Sequence, residues 1–262
     1  MSINEHFMPF IHAMKKRTFR QSAVFSTVTI LVVAFLFASC IAYRPQVVEM
    51  PLIHEKGELQ VNGSIGLSVP FGDGYIGATA SYGATEWLAV QAHANWNGSA
   101  GGYGQVATGA FKSWKNAVLE GYIGYGYGGN NWNDKNNGRM FTARYHLPFA
   151  QADFGWAGLA NGHIDLGVGV KAGCMLPNIV NTKSATESTP ESVMRSTSPV
   201  ALLEPQLFFR VGGKRLKWTL NVGYCHLWGD GSNGEPFANT QAIYMPFTVN
   251  TGITYDFNVT NK

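Results

Sequence analysis

Several segments of this chain alternate apolar side chains with polar or small ones at every second position, the pattern of a β-strand with two different faces. Residues 216–224 show it most clearly, with apolar even positions and polar or small odd positions. Residues 247–257 repeat the pattern with apolar odd positions, and residues 164–171 repeat it with apolar even positions. Each segment therefore presents an apolar stripe on one side and charges, amides or hydroxyls on the other.

The pattern extends along most of the chain and predicts ten strands, with no helix of ordinary length after residue 40. The predicted strands are 58–69, 75–83, 87–96, 103–113, 117–127, 141–156, 162–175, 200–211, 215–228 and 246–257. The connections after even-numbered strands are short, namely 83–86, 113–116, 158–161 and 212–214. Apart from 70–74, the connections after odd-numbered strands are longer and rich in Gly, Asn and Ser, including 130–138, 177–199 and 229–246.

This sorting of connection lengths indicates an up-and-down antiparallel sheet, because connections of one parity then share one end of the molecule. Short turns at one end and long loops at the other are typical of transmembrane β-barrels, in which closure pairs every strand. A soluble Greek-key sandwich has no reason to sort its loops in this way. The sequence therefore predicts an all-β fold, a single up-and-down antiparallel transmembrane β-barrel of about ten strands.

The first 40 residues differ from the rest of the chain in hydropathy and charge. Four cationic side chains lie within residues 15–20, an uncharged apolar run follows over residues 23–37, and Ala38 and Ser39 precede Cys40. This order resembles the signal peptide and lipobox of bacterial lipoproteins. The resemblance implies cleavage before Cys40 and attachment of acyl chains such as palmitate to its thiol. An ordinary transmembrane helix is the alternative, which the shortness of the apolar run disfavours.

The domain organisation that follows has three parts. Residues 1–39 form the N-terminal signal peptide, residues 40–57 the lipidated cysteine with a periplasmic tether, and residues 58–262 the barrel domain. Met14 directly precedes the cationic run. Residues 1–13 are therefore interpreted as an upstream extension from a misassigned start codon.

The last predicted strand, residues 247–257, carries aromatic residues at alternate positions near its end and finishes in an aromatic side chain. In this respect it resembles the C-terminal strand of bacterial outer-membrane barrels, although residues 258–262 follow it. Together with Cys40, the alternating strands and a Gly- and Tyr-rich composition, this strand makes the chain similar to lipid-anchored outer-membrane β-barrels of a Bacteroidetes-like kind. The resemblance implies a Gram-negative outer membrane, with both chain termini periplasmic and the long loops extracellular.

The charge distribution excludes nucleic acid as a partner. The chain has 19 Lys and Arg residues and 16 Asp and Glu residues, and four of the cations and one of the acids precede residue 41. The part after Cys40 is therefore formally neutral and has no cationic excess. The expected partners are membrane lipid, through Cys40 acylation and barrel insertion, and the barrel-insertion machinery.

The polar stripes are expected to line the barrel interior if the apolar stripes contact lipid. The candidate lumen-facing residues are Gln151, Asp153, Asp165, Lys171, Glu204, Gln206, Arg210, Lys217, Asn221 and Asp256. Acidic and basic side chains are mixed in this set, so we expect them to neutralise one another. Because ten strands enclose a lumen only somewhat wider than the eight-strand lumen that side chains fill, an interior packed with polar side chains is favoured over an open pore.

No pattern in the sequence indicates catalytic residues, a metal site or a cofactor. His93 is predicted to face inward and His226 outward, so the two do not converge into a histidine-based site. The histidines after residue 40 show no metal-ligand spacing. Cys174 and Cys225 are predicted on opposite faces of strands that are not neighbours, which disfavours a disulfide between them.

The sequence favours a non-enzymatic outer-membrane barrel lipoprotein with a structural or surface-interaction role, and it leaves limited solute passage open. Two alternatives stay open at this point. One is an outer-membrane lipid-modifying enzyme that uses His93 or His226. The other is a lipid-tethered soluble β-sandwich that binds a glycan or a protein.

Overall fold

The structure is a computed structural model that describes residues 41–43, 45, 50–69, 73–97, 101–134, 138–185, 191–229, 243–244 and 246–257. Cys40 and the predicted signal peptide, residues 1–39, lie outside the described residues. Within the described part of the chain, no helix combines the length and the apolarity that crossing a bilayer requires.

Strands account for nearly all of the regular structure in the described residues. The strands are β1 (Ile41–Tyr43), β2 (Leu59–Val69), β3 (Asp73–Gly83), β4 (Leu88–Trp96), β5 (Gly101–Trp114), β6 (Ala117–Asp134), β7 (Arg139–Gly158), β8 (Ile164–Lys183), β9 (Ser192–Ser196), β10 (Val200–Gly212), β11 (Leu216–Tyr224), β12 (His226–Trp228), β13 (Ile243–Tyr244) and β14 (Phe247–Phe257). A tight turn, Leu159–Gly162, connects β7 to β8, with Ala160 and Asn161 in the left-handed region.

Ten strands form one closed antiparallel wall, and this confirms the predicted fold class. Consecutive strands from β2 to β8 pair with one another, β10 pairs with β8 and β11, and β11 pairs with β14. The strand β12 continues β11 in the same register against β10. The wall closes because β14 also pairs with β2, from Phe247 opposite Val69 to Phe257 opposite Leu59. The β-sandwich interpretation is therefore wrong, since the first and last wall strands are joined to each other.

The two faces of the wall follow the alternation in the sequence. Large apolar side chains at outward positions are exposed, among them Ile123 at 68% and Ile253 at 56%. Inward positions on the same wall are buried, as for Thr248, Asn250 and Thr254 of β14. Hydrocarbon cannot hydrogen-bond to the backbone, but closure satisfies the backbone of every wall strand internally. The exposed apolar band is thus the membrane-facing surface of the barrel.

The two ends of the wall differ, and we name them by their connections. The short-turn end carries the connections β3–β4, β5–β6, β7–β8 and β10–β11, and the long-loop end is the opposite one. At the long-loop end the strands reach further than the sequence predicts, since β6 continues to Asp134 and β8 to Lys183. Asn and Gly disfavour strands by propensity, but pairing with β7 keeps residues 128–134 extended. The predicted loop 177–199 also contains β9, which pairs with the end of β8.

The residues before β2 differ most from the sequence-based description. Residues 40–57 are described there as a periplasmic tether, but Tyr43, Met50, Leu52 and Ile53 are each at most 1% exposed inside the wall. Burying a large apolar side chain stabilises a fold by roughly 1.5–3 kcal/mol. These four side chains therefore gain stability by entering the barrel. We call the described residues within 41–57 the lumen segment.

Candidate functional site: the occupied barrel interior

The lumen segment enters the barrel at the long-loop end. Its first strand, β1, pairs in parallel with β13, which lies in the connection that leads into β14 at the long-loop end. Tyr43 is the last residue of β1, and its hydroxyl donates a hydrogen bond of 2.7 Å to the carboxylate of Glu204. Glu204 lies eight residues before the short-turn end of β10, near the middle of that strand. Tyr43 therefore marks a level partway down the lumen.

Two charged wall residues bind the backbone of residues 50–53. The guanidinium of Arg210 donates to the carbonyl oxygens of residues 50 and 51. The carboxylate of Glu120 accepts hydrogen bonds from the backbone N–H groups of residues 52 and 53, at 3.2 and 2.8 Å. Arg210 and Glu120 are themselves at most 1% exposed. Hydrogen bonds to charged groups are about twice as strong as neutral ones, so this stretch is firmly held.

The segment reaches the short-turn end at residues 54–57. The hydroxyl of Ser113 donates to the carbonyl oxygen of His54 at 3.0 Å, and the N–H of Gly57 donates to the carbonyl oxygen of Gly83 at 2.7 Å. Ser113 is the penultimate residue of β5, and Gly83 is the last residue of β3. The lumen segment thus runs the length of the barrel interior before the chain turns into β2.

Inward glycines of the wall leave the space that the lumen segment occupies. A Cβ atom at Gly169 would lie 2.8 Å from Sδ of Met50, and a Cβ atom at Gly155 would lie 2.9 Å from Cδ1 of Leu52. Both distances are shorter than van der Waals contact between such atoms. Each Cβ atom would also press against the wall itself, at Asp153 for Gly169 and at the backbone of β8 for Gly155. The wall and the segment are therefore complementary in shape.

Gly169→Ala is expected to lower the free energy of unfolding by about 1–3 kcal/mol, because the added methyl group overpacks the interior. Met50→Ala alone is expected to lower it by about 2–5 kcal/mol through the cavity that it leaves. Urea unfolding in lipid vesicles, followed by tryptophan fluorescence, measures both variants and the double variant.

The double variant is expected to lose less than the sum of the two single losses, because the shorter side chain at position 50 removes the overlap with Met50 and leaves only the overlap with Asp153. Gly63→Ala is the matched control, since a Cβ atom there would have no neighbour within 4 Å. Strictly additive losses for Gly169→Ala and Met50→Ala would contradict the contact between wall and segment.

The sequence-predicted lumen residues that the structure describes all lie at buried wall positions. Each is at most 5% exposed: Gln151, Asp153, Asp165, Lys171, Glu204, Gln206, Arg210, Lys217, Asn221 and Asp256. They come from five strands, β7, β8, β10, β11 and β14, and so line one side of the interior. Cys40, the predicted lipidation site, is outside the described part of the chain.

Ion pairs join several of these residues. Near the short-turn end, Nζ of Lys217 lies 2.7 Å from a carboxylate oxygen of Asp165 and 3.9 Å from one of Asp256. Further from that end, Nζ of Lys171 lies 3.1 Å from a carboxylate oxygen of Glu204. An unpaired buried charge costs several kcal/mol, so these pairings stabilise the closed interior relative to an unpaired arrangement.

Two amide side chains extend this network. Gln60 donates to Asp256 at 2.7 Å and to the carbonyl oxygen of Pro51 at 3.0 Å. Gln151 donates to Asp153 at 2.8 Å. The first amide therefore connects a predicted lumen residue to the lumen segment.

The long-loop half of the interior contains a cluster of aromatic side chains, which the sequence does not predict. Tyr103, Tyr145 and Phe149 are buried there, and the ring of Tyr43 lies 5.3 Å from that of Tyr145 between centroids. Gly126 faces Tyr103 so closely that a Cβ atom there would overlap the ring. The assumption that apolar positions face outward fails here, because these rings of β5 and β7 face inward.

A cavity of about 400 Å³ opens at the short-turn end, and residues of the lumen segment form part of its lining. Its lining combines the acidic side chains Glu58, Asp165 and Asp256 with the cationic Lys115 and Lys214. Charges of both signs favour no single class of charged ligand. No three His, Cys, Asp or Glu side chains of the described chain gather into a group that could bind a metal ion.

Glu58, directly before β2, gives the cavity a titratable group outside the wall strands. Its pKa is raised from 4.5 to about 7: burial raises the pKa most, hydrogen bonds from the N–H groups of His54 and Glu55 lower it, and the nearby Asp256 raises it. The folded state therefore favours the protonated carboxyl. The stability from this site is fully present below pH 4.5 and is lost as the pH rises through about 7.

We expect wild type to lose about 1–2 kcal/mol relative to Glu58→Gln between pH 5 and pH 8, after an allowance for solvent screening at this partly buried group. The glutamine is neutral throughout and serves as the control. Urea unfolding at the two pH values gives the difference in free energy. Parallel pH profiles for the two proteins would show that Glu58 titrates as in the unfolded chain.

His93 and His226 lie on different faces of the wall. His93 is buried, with Nδ1 2.8 Å from the hydroxyl of Thr79 and Nε2 3.2 Å from Nδ2 of Asn95. His226 is partly exposed, and its ring contacts that of Trp228, with centroids 4.5 Å apart. The structure therefore does not bring the two imidazoles together.

Glu120 and the lumen segment are not predicted from the sequence. Glu120 has the same strand parity as Tyr122, and both are buried. A carboxylate at an alternating position in the middle of a strand is the signal that could have identified it. For the lumen segment, the signal is the run Met50–Ile53, which is too apolar for an exposed tether.

Comparisons with known proteins identify the fold. No protein-family model matches the chain, and no curated protein matches its sequence. The outer membrane protease OmpT from Escherichia coli aligns with a TM-score of 0.50 at 9% identity, over 77% of this chain and 94% of that chain. The KdgM porin aligns with a TM-score of 0.34 at 10% identity, over 76% of this chain and 99% of that chain. The closed wall and the alignment with OmpT show that the chain has the fold of outer-membrane β-barrels, which supports an outer-membrane location.

Proposed function

We propose that the chain is an outer-membrane β-barrel lipoprotein that acts as a structural or surface-interaction protein, and not as an open channel or an enzyme. The lumen segment is the observation that supports this most. Its backbone is bonded to Arg210 and Glu120, and its side chains fill the space beside Gly155 and Gly169. A channel needs a continuous path for water, and the segment lies along that path.

The proposed orientation places the long-loop end outside the cell, with the short-turn end and the C-terminus in the periplasm. Bacterial outer-membrane barrels have short periplasmic turns and longer extracellular loops, and this general rule supports the assignment. In a Cys174→Ser background, a membrane-impermeant maleimide is expected to label Ser184→Cys on intact cells. It is expected to label Gly213→Cys only after permeabilisation. The reverse labelling pattern would contradict the orientation.

The proposed lipid modification is acylation of Cys40. Labelled palmitate is expected to enter the wild-type chain and to be lost in Cys40→Ser. Because the wall itself contacts hydrocarbon, Cys40→Ser is expected to stay in the membrane pellet after a carbonate wash, and the barrel-insertion machinery is expected to insert it as it inserts wild type. Wild-type protein without palmitate label would contradict the lipoprotein part of the proposal.

The proposal includes no catalytic activity. Its support is the separation of His93 and His226 on the two faces of the wall. Wild type is expected to show no turnover on a panel of phospholipids and lipid A. Turnover that His93→Ala abolishes in a correctly folded barrel would favour the lipid-modifying enzyme instead.

A further inference from the structure

The direction of the lumen segment determines the end of the barrel at which the preceding residue emerges. β1 lies beside β13 at the long-loop end, whereas residues 54–57 lie at the short-turn end. An extended chain from residue 41 to residue 57 can span about 50 Å, whereas an 11-residue strand such as β2 is roughly 36 Å long. The lumen segment is therefore long enough to reach from one end of the barrel to the other. Cys40 precedes Ile41 by one peptide unit, a Cα–Cα distance of about 3.8 Å.

We infer that the acylated N-terminus leaves the barrel at the long-loop end, and that its acyl chains insert into the leaflet on that side. In the proposed orientation this is the outer leaflet. The inference rests on the proposed acylation and orientation. It differs from the sequence-based expectation of a periplasmic N-terminus, which assumes that the chain before β2 stays at the end where β2 begins.

The bonds along the lumen segment hold it at several levels of the barrel. Tyr43 donates to Glu204 in the middle of the lumen, Arg210 and Glu120 bind residues 50–53 below it, and Ser113 binds the segment at the short-turn end. A segment held in this way connects an anchor at one mouth of the barrel to the first wall strand at the other. The lipid is therefore fixed to the long-loop end through the interior, without a connection over the outer surface.

The order of the strands lets the lumen segment enter the barrel before the wall closes, so the acylated N-terminus does not have to pass through a closed barrel. The lumen segment is continuous with β2, and β2 forms the closing pair with β14. While these two strands are unpaired, one side of the wall is open, and the segment can lie along the inner face of the other strands. Pairing of 11 residues of β14 with β2 then encloses it.

The experiment places one epitope tag between Cys40 and Ile41 of the full chain and compares antibody binding to intact and permeabilised cells. The same tag after Ala185 reports the long-loop end, and the same tag after Gly213 reports the short-turn end. The N-terminal tag is expected to be accessible on intact cells to the same extent as the Ala185 tag. The Gly213 tag is expected to need permeabilisation. Heat-modifiable gel migration identifies the tagged chains that form the folded barrel.

An N-terminal tag that needs permeabilisation while the Ala185 tag is accessible would overturn the inference and leave the proposed function intact. Palmitate labelling of the same cells tests acylation separately, and unlabelled protein would contradict the proposed function without deciding the path of the segment. If the tag prevents folding, Ile41→Cys in a Cys174→Ser background replaces it. An impermeant maleimide is expected to label that cysteine on intact cells, and protection until permeabilisation would overturn the inference.

Discussion

Arg210→Ala is expected to lower the free energy of unfolding of the barrel by about 3–5 kcal/mol, the usual cost of removing one partner from a buried charged contact. Arg210 is fully buried, and its guanidinium donates to the carbonyl oxygens of Met50 and Pro51. It also lies over the ring of Phe208, with 4.6 Å between the guanidinium carbon and the ring centroid. Alanine removes these contacts and leaves two buried carbonyl groups without this donor.

Urea unfolding in lipid vesicles measures the loss for Arg210→Ala. Arg215→Ala is the matched control, since Arg215 is exposed in the turn after β10, and surface substitutions usually change stability by less than about 0.5 kcal/mol. Arg210→Lys is expected to be intermediate, because an ammonium group cannot reproduce the two-pronged guanidinium contact. Equal stabilities for Arg210→Ala and Arg215→Ala would show that the lumen segment is not bound at this level.

The intact chain is expected to give no stepwise conductance in planar lipid bilayers, and deletion of residues 41–53 is expected to produce it. The deletion removes Tyr43 and residues 50–53, which fill the lumen, while the ten strands of the wall keep their pairing. A lumen of ten strands is wider than the eight-strand lumen that wall side chains fill without help. Water and small ions are therefore expected to enter the space that the segment leaves.

Deletion of residues 191–198 is the control for the conductance measurement. It removes β9, which pairs with β8 beyond the wall and does not line the interior. This variant is expected to stay silent, as the intact chain does. Conductance from the intact chain, or silence from the chain without residues 41–53, would contradict the proposal that the lumen segment closes the barrel to water and ions.

The wall could be predicted from the sequence because each wall strand carries its own signal. In β11, apolar Trp218 and Val222 alternate with polar Lys217 and Asn221, and the structure exposes the first pair and buries the second. The period of two determines which side chains share a face, and closure then decides which face is inside. Long-range pairings such as β14 with β2 follow from the count and order of the strands.

The contents of the lumen could not be predicted in the same way, because they depend on contacts between distant parts of the chain. Glu120 binds residues 52 and 53, which lie 68 and 67 positions away, and no local pattern encodes this pairing. Apolar residues such as Tyr145 and Phe149 have the same chemistry inside the barrel as they would have against lipid. Only the position of the lumen segment shows that these rings have a partner inside.

A cross-link between residues 43 and 145 tests the occupied lumen most directly. Tyr43→Cys with Tyr145→Cys, in a chain that carries Cys174→Ser and Cys225→Ser, is treated in native membranes with a short bis-maleimide. The rings of the two tyrosines have centroids 5.3 Å apart, and those of Tyr103 and Tyr145, both in the wall, have centroids 6.0 Å apart. The pair at 43 and 145 is expected to cross-link as efficiently as the wall pair at 103 and 145. Efficient linkage of the wall pair with none between 43 and 145 would contradict a lumen filled by the N-terminal segment.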